Sequence, residues 1–422
     1  MCISLIVQMR NSPLFILLFL IHSFSYAQTP GCTDTLANNF NASAISNNGS
    51  CTYNTTNYTP VIKVDPLSDS VIETSGLQFA GGFLWTINDR TGKPALYRID
   101  TITNTIQQRV ILAGASNIDW EALSFDGTYF YVGDFGNNQD GGRADLKIYK
   151  FPFSTIDLNQ QVDTIQPGEI EVINFIYSDQ PQPVVPSGSN NTQYDCEAMI
   201  IDNNRIHLFS KNWVNNSTTH YVINSASRGN YSAMVMETFA TNFLVTSAGK
   251  VPGQDIVALL GYQNSGTGNH YLYILSNYKA DSFFTGNKRL IGLGNATVMG
   301  QSEGLTFRDG RYGYISNEKF TRTIGPVSIT VNQKLRSFDI SGFVNNYFTQ
   351  YVFTGSGNWS DAANWQYNKV PPSIIYAGNE IIIDPQATGT CVLDIQYTMP
   401  PGSKLTVKDG KHFLMNGNLT VE

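Results

Sequence analysis

The sequence predicts an all-β protein built around a β-propeller of four-stranded blades, followed by a small β-solenoid or β-sandwich module. Three observations carry that expectation. A strand–turn–strand unit recurs along the middle of the chain. Each copy is followed by further strand-like runs, so that four short antiparallel strands return at intervals of roughly 45 to 75 residues. Charged residues make up only 14 % of the chain while Gly, aromatic and small polar residues are plentiful, a balance that suits short strands and tight turns rather than long charged helices. With 422 residues and 41 % apolar content the chain has material for two or three packed domains.

Taken in order, the first segment reads as a secretory leader, residues 1–27. Arg10 precedes the apolar run "LFILLFLI", and "SYA" at Ser25–Ala27 has the small-x-small form that a signal peptidase accepts. The run is short for a membrane span, and no later stretch qualifies; the alternative is a retained anchor helix. Without this leader the chain is one unit more acidic than the formal −7 of the whole sequence. An acidic chain with no Lys/Arg cluster is a poor partner for nucleic acid or anionic lipid. The expected location is secreted or cell-surface.

Residues 28–58 form a short Asn-rich module bracketed by Cys32 and Cys51. In an oxidising exported setting these two are expected to pair. Its Asp and Asn side chains either hold Ca²⁺ through oxygens or supply turns around the disulfide. Cys196 lies in an apolar strand pattern and reads as a small buried hydrophobe rather than a nucleophile. No Cys/His spacing points to zinc.

Residues 59–350 hold the repeat. "SGLQFAGGFLWTIND" from Ser75, "EALSFDGTYFYVGD" from Glu121, "EAMIIDNNRIHLFSK" from Glu197 and "EGLTFRDGRYGYISNE" from Glu303 share one plan, with a weaker copy from Val245. Each begins with a polar and then a small residue, runs through two apolar strands about a Gly/Asn/Asp turn, and ends on a polar or charged residue. Third strands follow at "PALYRID", "DLKIYKF", "HYVINS", "YLYILS" and "KLRSFDI", and fourth strands at "IQQRVIL", "EVINFIY", "AMVMETF" and "RLIGL". The fifth unit lacks its own fourth strand, which "PVIKVDP" ahead of the first unit can supply to close the ring. Five blades are counted, and a sixth has room in the 151–193 connection. A pair of β-sandwiches would explain the strands but not the repeated hairpin. Residues 351–422 change to "TGSGNWSDAANWQYNKVPPS" and then short strands at close spacing, the pattern of opening solenoid rungs.

In a propeller the first strand of each blade lines the channel and the second returns antiparallel, so the start of one and the end of the other share a face. That brings Ser75, Asp89, Glu121, Asp134, Glu197, Lys211, Glu303 and Glu318 to one channel mouth as the expected ligand-binding set, with Glu73, Asp119 and Asp195 within two residues. Converging carboxylates repel, and protons or a cation must offset the repulsion. Oxygen ligands without His or Cys favour Ca²⁺ or Mg²⁺ over zinc. The structural alternative is that the acids accept strand N–H groups and lock blade to blade.

Several of these stretches resemble known families. "GCTD…GSCTY" resembles short modules of exported proteins from Bacteroidetes-type bacteria, and "NWSDAANW" resembles modules of bacterial surface proteins. "WTINDRTGKPALYRID", "NIDWEALSFDG", "VGDFGNN", "DCEAMII" and "SEGLTFRDGRYGYISNE" resemble exported bacterial propellers related to the phytase-like, esterase-like group. That resemblance implies Ca²⁺ as cofactor and metal-ligand roles for Asp89, Glu121, Asp134, Glu197, Glu303 and Glu318. The chain departs from true phytases in having no Asp-Asp-Pro-Ala-type run in the first blade and a thin Lys/Arg lining. Lys211 stands where other blades carry an acid.

Two weaker signals complete the reading. "GQSEG" at Gly300–Gly304 matches a nucleophile pattern, but that pattern needs a strand–turn–helix setting, and Ser302 here opens a β-hairpin. His207, His220 and His270 fall in or beside strands. Trp359, Trp365 and Tyr367 either stack on sugar rings, giving a glycan contact, or fill the first solenoid layer. The function expected is an exported propeller binding a surface or extracellular ligand at an acidic mouth with Ca²⁺; the alternative is a Ca²⁺-dependent secreted phosphoesterase.

Overall fold

The computed structural model describes residues 29–421 apart from positions 45, 91–92, 265–267, 325, 345–349, 367–369, 372–374, 376–378 and 387. The leader and Tyr367 lie outside the described residues. Strands and turns account for nearly everything else; one four-residue α-helix, Ala296–Met299, occurs among the described residues.

Five four-stranded antiparallel blades form the body. Blade 1 comprises Thr74–Ala80, Phe83–Asn88, Ala95–Ile99 and Ile106–Leu112; blade 2 Trp120–Phe125, Tyr129–Asp134, Lys147–Pro152 and Glu171–Tyr177. Blade 3 comprises Cys196–Asp202, Arg205–Ser210, Thr218–Ile223 and Gly229–Phe239; blade 4 Leu244–Lys250, Ile256–Tyr262, His270–Ser276 and Asn287–Gly294. Blade 5 uses Gln301–Phe307, Tyr312–Glu318 and Lys334–Asp339, and takes its outer strand, Val61–Val64, from ahead of blade 1. The five inner strands each pack against the next, and blade 5 against blade 1, so the ring closes. Radial repetition leaves only a short outer edge on each blade.

The 151–193 connection does not make a sixth blade. Its Val162–Ile165 strand adds in parallel to the outer edge of blade 1, with Val162 opposite Arg109. Its Glu171–Tyr177 strand completes blade 2 and also pairs in parallel with the start of Gly229–Phe239, joining blades 2 and 3 into one eight-stranded sheet.

Each blade interface has its own apolar cluster, which is why the middle strands are buried on both faces. Trp85 and Leu96 of blade 1 meet Trp120, Phe130 and Phe151 of blade 2. Comparable layers fill the four other interfaces. Both indoles are fully buried, and each donates its N–H to a backbone carbonyl, Trp85 to Ala80 at 3.2 Å and Trp120 to Ser116 at 2.8 Å. Burying one such ring contributes roughly 1.5–3 kcal/mol with no unpaired donor to offset it. Cys196, also fully buried, sits in the blade 2–3 layer as a small hydrophobe.

Cys32 and Cys51 are bonded. Asp34 accepts the Leu36 N–H at 2.9 Å and the Tyr53 hydroxyl at 2.7 Å, and Asn39, Asn41, Asn47 and Asn48 accept local N–H groups. These oxygens serve turns around the disulfide. The C-terminal strands stack in parallel, Gln350–Phe353 on Glu380–Ile383 on Lys404–Val407, with two further parallel stacks beside them. That is a β-solenoid rather than a sandwich. Trp359 and Trp365 are 0 % and 2 % exposed and pack edge to face at 4.8 Å inside it. Of the two readings of these rings the filling of the solenoid layer holds, because the apolar interior of the rung takes both faces.

Candidate functional site: the acidic channel mouth

A β-bulge near the start of every inner strand builds the mouth. In blade 2, Trp120 pairs with Asp134 and Ala122 with Gly133, leaving Glu121 unpaired. The same break leaves Glu197 unpaired in blade 3, Thr246 in blade 4 and Glu303 in blade 5. In blade 1 it falls on Ser75 and Gly76. A bulge re-aims the extra residue out of the ladder: in blades 2, 3 and 5 it carries Glu121, Glu197 and Glu303 to the cavity, and in blades 1 and 4 it turns Ser75 and Thr246 to a neighbouring blade.

The small residue after it has a steric cause. A Cβ on Gly76 would lie 2.3 Å from the Leu123 nitrogen, and one on Gly304 2.8 Å from Leu77 Cβ and 2.9 Å from the Ser75 carbonyl oxygen. Inner strands of neighbouring blades approach too closely there for a larger side chain.

Of the eight predicted residues, the fold brings six to one cavity of about 470 Å³: Asp89, Glu121, Glu197, Lys211, Glu303 and Glu318. Two are placed elsewhere. Ser75 is buried and donates its hydroxyl to the Trp120 carbonyl at 2.8 Å, tying blade 1 to blade 2. Thr246 does the same between blades 4 and 5, donating to Ser302 at 2.7 Å. Asp134 lies fully buried behind the rim, where Arg143 Nη2 donates to it at 2.9 Å and the Asp119 N–H at 3.1 Å.

Sequence reasoning passed over Trp213 and Tyr262 of the neutral wall and read His270, which also lines it, as an ordinary strand residue. Tyr262 occupies in blade 4 the position that Asp89, Lys211 and Glu318 hold in blades 1, 3 and 5, and the register of the weak fifth copy was the signal for it. Trp213 is held by its indole N–H, which donates to Asp195 at 2.7 Å. Asp195 also accepts the Asn137 and Cys196 N–H groups at 2.7 and 3.1 Å. It therefore acts as an interblade acceptor, as the structural alternative required. Ser302 is fully buried in its hairpin and has no nucleophile's setting.

The cavity acids differ from Asp195, both of whose carboxylate oxygens accept hydrogen bonds. Asp89 Oδ1, Glu197 Oε2 and Glu303 Oε2 are buried without a hydrogen-bond partner. Burial, with Asp119 beside it, pushes the Asp89 carboxyl up to about 8. Burial and then Asp89 and Glu197 hold Glu121 well above the usual carboxylate range. Glu197 and Glu318 are raised by burial and then by Glu303. Burial opposes the charge of Lys211, but Glu197 and Glu303 outweigh it and hold the ammonium protonated; its Nζ lies 2.5 Å from Glu197 Oε1.

Carboxylate oxygens of Asp89, Asp119 and Glu121 all lie within 4.8 Å of one another. Gly136 leaves room for them, since a Cβ there would sit 2.5 Å from both Asp119 Oδ2 and Glu121 Oε1. Hard oxygen donors with an unpartnered buried oxygen fit Ca²⁺ or Mg²⁺.

No family model and no curated protein matches the chain. Among solved structures it is similar to a PQQ-bound aldose sugar dehydrogenase from Streptomyces coelicolor, at 9 % identity and a TM-score of 0.36, over 65 % of this chain and 96 % of that one. It is similar to a DUF4623 family protein from Bacteroides eggerthii at 12 % identity and 0.35, over 65 % and 56 % of the two chains. For the catalytic domain of a Coprinopsis cinerea GH62 α-L-arabinofuranosidase the values are 12 % and 0.36, over 68 % and 97 %. Likeness at this level assigns no activity, so the functional reading rests on the mouth itself.

Proposed function

We propose that the protein is an exported ligand-binding propeller whose acidic mouth takes a Ca²⁺ ion and, with it, an extracellular ligand. One observation carries the reading: buried carboxylate oxygens without partners converge on a single cavity. Uncompensated, each such charge costs several kcal/mol of desolvation, and the cavity's lysine already serves Glu197. Asp89, Asp119 and Glu121 would hold the ion; bound there, it would offset their repulsion and offer an electrophilic contact to ligand oxygens. The bonded Cys32–Cys51 pair and the leader-like N-terminus support an exported setting. The phosphoesterase alternative needs cations to grip phosphate; the cavity is lined by Lys211, which a carboxylate engages, and Arg322 against five carboxyl groups, so it has less support.

Calorimetric Ca²⁺ titration with thermal melts tests this, run beside a Glu121→Gln, Glu197→Gln, Glu303→Gln variant. The parent binds and gains melting temperature by linkage while the variant does neither. A parent that ignores Ca²⁺, with a variant that folds normally, ends the reading.

A further inference from the structure

Among the described residues three cationic side chains stand at the mouth: Arg322 lines the cavity, and Lys211 and Arg90, which stand among the carboxylates, differ. Lys211 has a side chain only 2 % exposed and is enclosed by Glu197 and the rings of Trp213 and Tyr262, whose centroids lie 5.0 and 5.3 Å away. Arg90 has a side chain 41 % exposed and lies across the rim. Its Nη2 donates to Asp119 Oδ2 at 3.0 Å and its Nε to Asp119 Oδ1; it also bonds Asn138 and stands 3.5 Å from Asp89. The carboxylates it faces are those that cluster with Glu121. Glu303, 4 % exposed with Oε2 unpartnered, lines the same cavity, and with Asp89, Asp119, Glu121, Glu197 and Glu318 it outnumbers Lys211, Arg322 and Arg90.

We infer that Arg90 is the chain's own occupant of the cation position formed by Asp89, Asp119 and Glu121, that a divalent ion displaces it, and that this exchange makes the mouth selective for divalent over monovalent cations. The inference rests on the Ca²⁺ reading and adds how that site is guarded. A monovalent ion replacing the guanidinium exchanges one unit charge for another and forfeits the forked hydrogen bonds. A divalent ion brings twice the charge to three carboxylates. The released guanidinium, 41 % exposed, passes into water, while the buried Asp119 carboxylate, 5 % exposed, keeps a cationic partner in the ion that replaces it. Lys211 has no such exit and stays as a permanent counter-ion.

The test is Ca²⁺ and Na⁺ titration of the intact protein as wild type, Arg90→Gln and Lys211→Gln, each with a thermal melt. Arg90→Gln is expected to bind Ca²⁺ at least about threefold tighter than wild type, the scale of an ion pair with one exposed partner, and to be stabilised by Na⁺ where wild type is not. Lys211→Gln measures the general effect of removing one positive charge. The inference is overturned if Arg90→Gln gains no more than Lys211→Gln, or binds Ca²⁺ more weakly than wild type. Should Lys211→Gln fail to fold, the Na⁺ response of Arg90→Gln decides alone. Wild-type binding without an Arg90 effect defeats only this inference, whereas absence of binding in every protein defeats the Ca²⁺ reading as well.

Discussion

Replacing Lys211 by methionine keeps the length of the side chain and its contacts with Trp213 and Tyr262 while deleting the charge. The ammonium it removes is 2.5 Å from Glu197 Oε1, and both side chains are almost fully buried, at 2 % and 3 % exposure. Breaking a buried pair by removing one partner costs about 3–5 kcal/mol, because the remaining charge is left without compensation. The cost should depend on pH with a definite sign. Glu197 is already held above the usual range by burial and by Glu303, and loss of Lys211 raises it further. The folded state then binds a proton more tightly than the unfolded one, so stability falls as pH rises from the unfolded value near 4.5 towards the folded one. Urea unfolding at pH 5 and pH 8, followed by tryptophan fluorescence, should show a much larger loss at pH 8. Adding Glu197→Gln should restore most of it. A loss under about 1 kcal/mol at pH 8, or one that Glu197→Gln leaves unchanged, would refute the account of Lys211 as a buried counter-ion.

Two further outcomes are expected. Gly136→Ala places a methyl 2.5 Å from the oxygens of Asp119 and Glu121; it should cost about 1–3 kcal/mol and weaken Ca²⁺ binding, and calorimetry showing unchanged affinity would remove Gly136 from the site. Without Ca²⁺, melting temperature should decline as pH rises from about 4 to 8, because Asp89 is held up to about 8 when folded and titrates near 4 when unfolded. Saturating Ca²⁺ should flatten that slope, and an identical slope with and without the ion would separate Asp89 from the metal.

The ring was legible because its determinants are local. A polar residue, a small residue and two apolar strands repeat with the spacing of a hairpin, and the bulge and the close inner-strand approach at Gly76 and Gly304 give that repeat its physical cause. Closure by Val61–Val64 was visible because blade 5 lacked a fourth strand. Asp134 was misplaced because its partner, Arg143, comes from the connection after the hairpin, and nothing in the repeat marks that arginine. The guanidinium of Arg90 was missed for a related reason: it crosses from blade 1 to Asp119 of the next blade. The indoles of Trp359 and Trp365 carried no sign of which way they face until parallel stacking put them inside the rung.

The strand that closes blade 5 also constrains how the protein comes into being. Val61–Val64 is made before any blade, yet its partner Lys334–Asp339 is among the last propeller segments to leave the ribosome. Until then Val61 and Ile62, still more than half exposed in the finished ring, have no ladder to join. Blades can form one after another during synthesis, but the circle cannot be completed residue by residue. Its last step is one contact of very long sequence separation, the kind that makes folding slow and leaves unpaired strand edges available to other chains meanwhile.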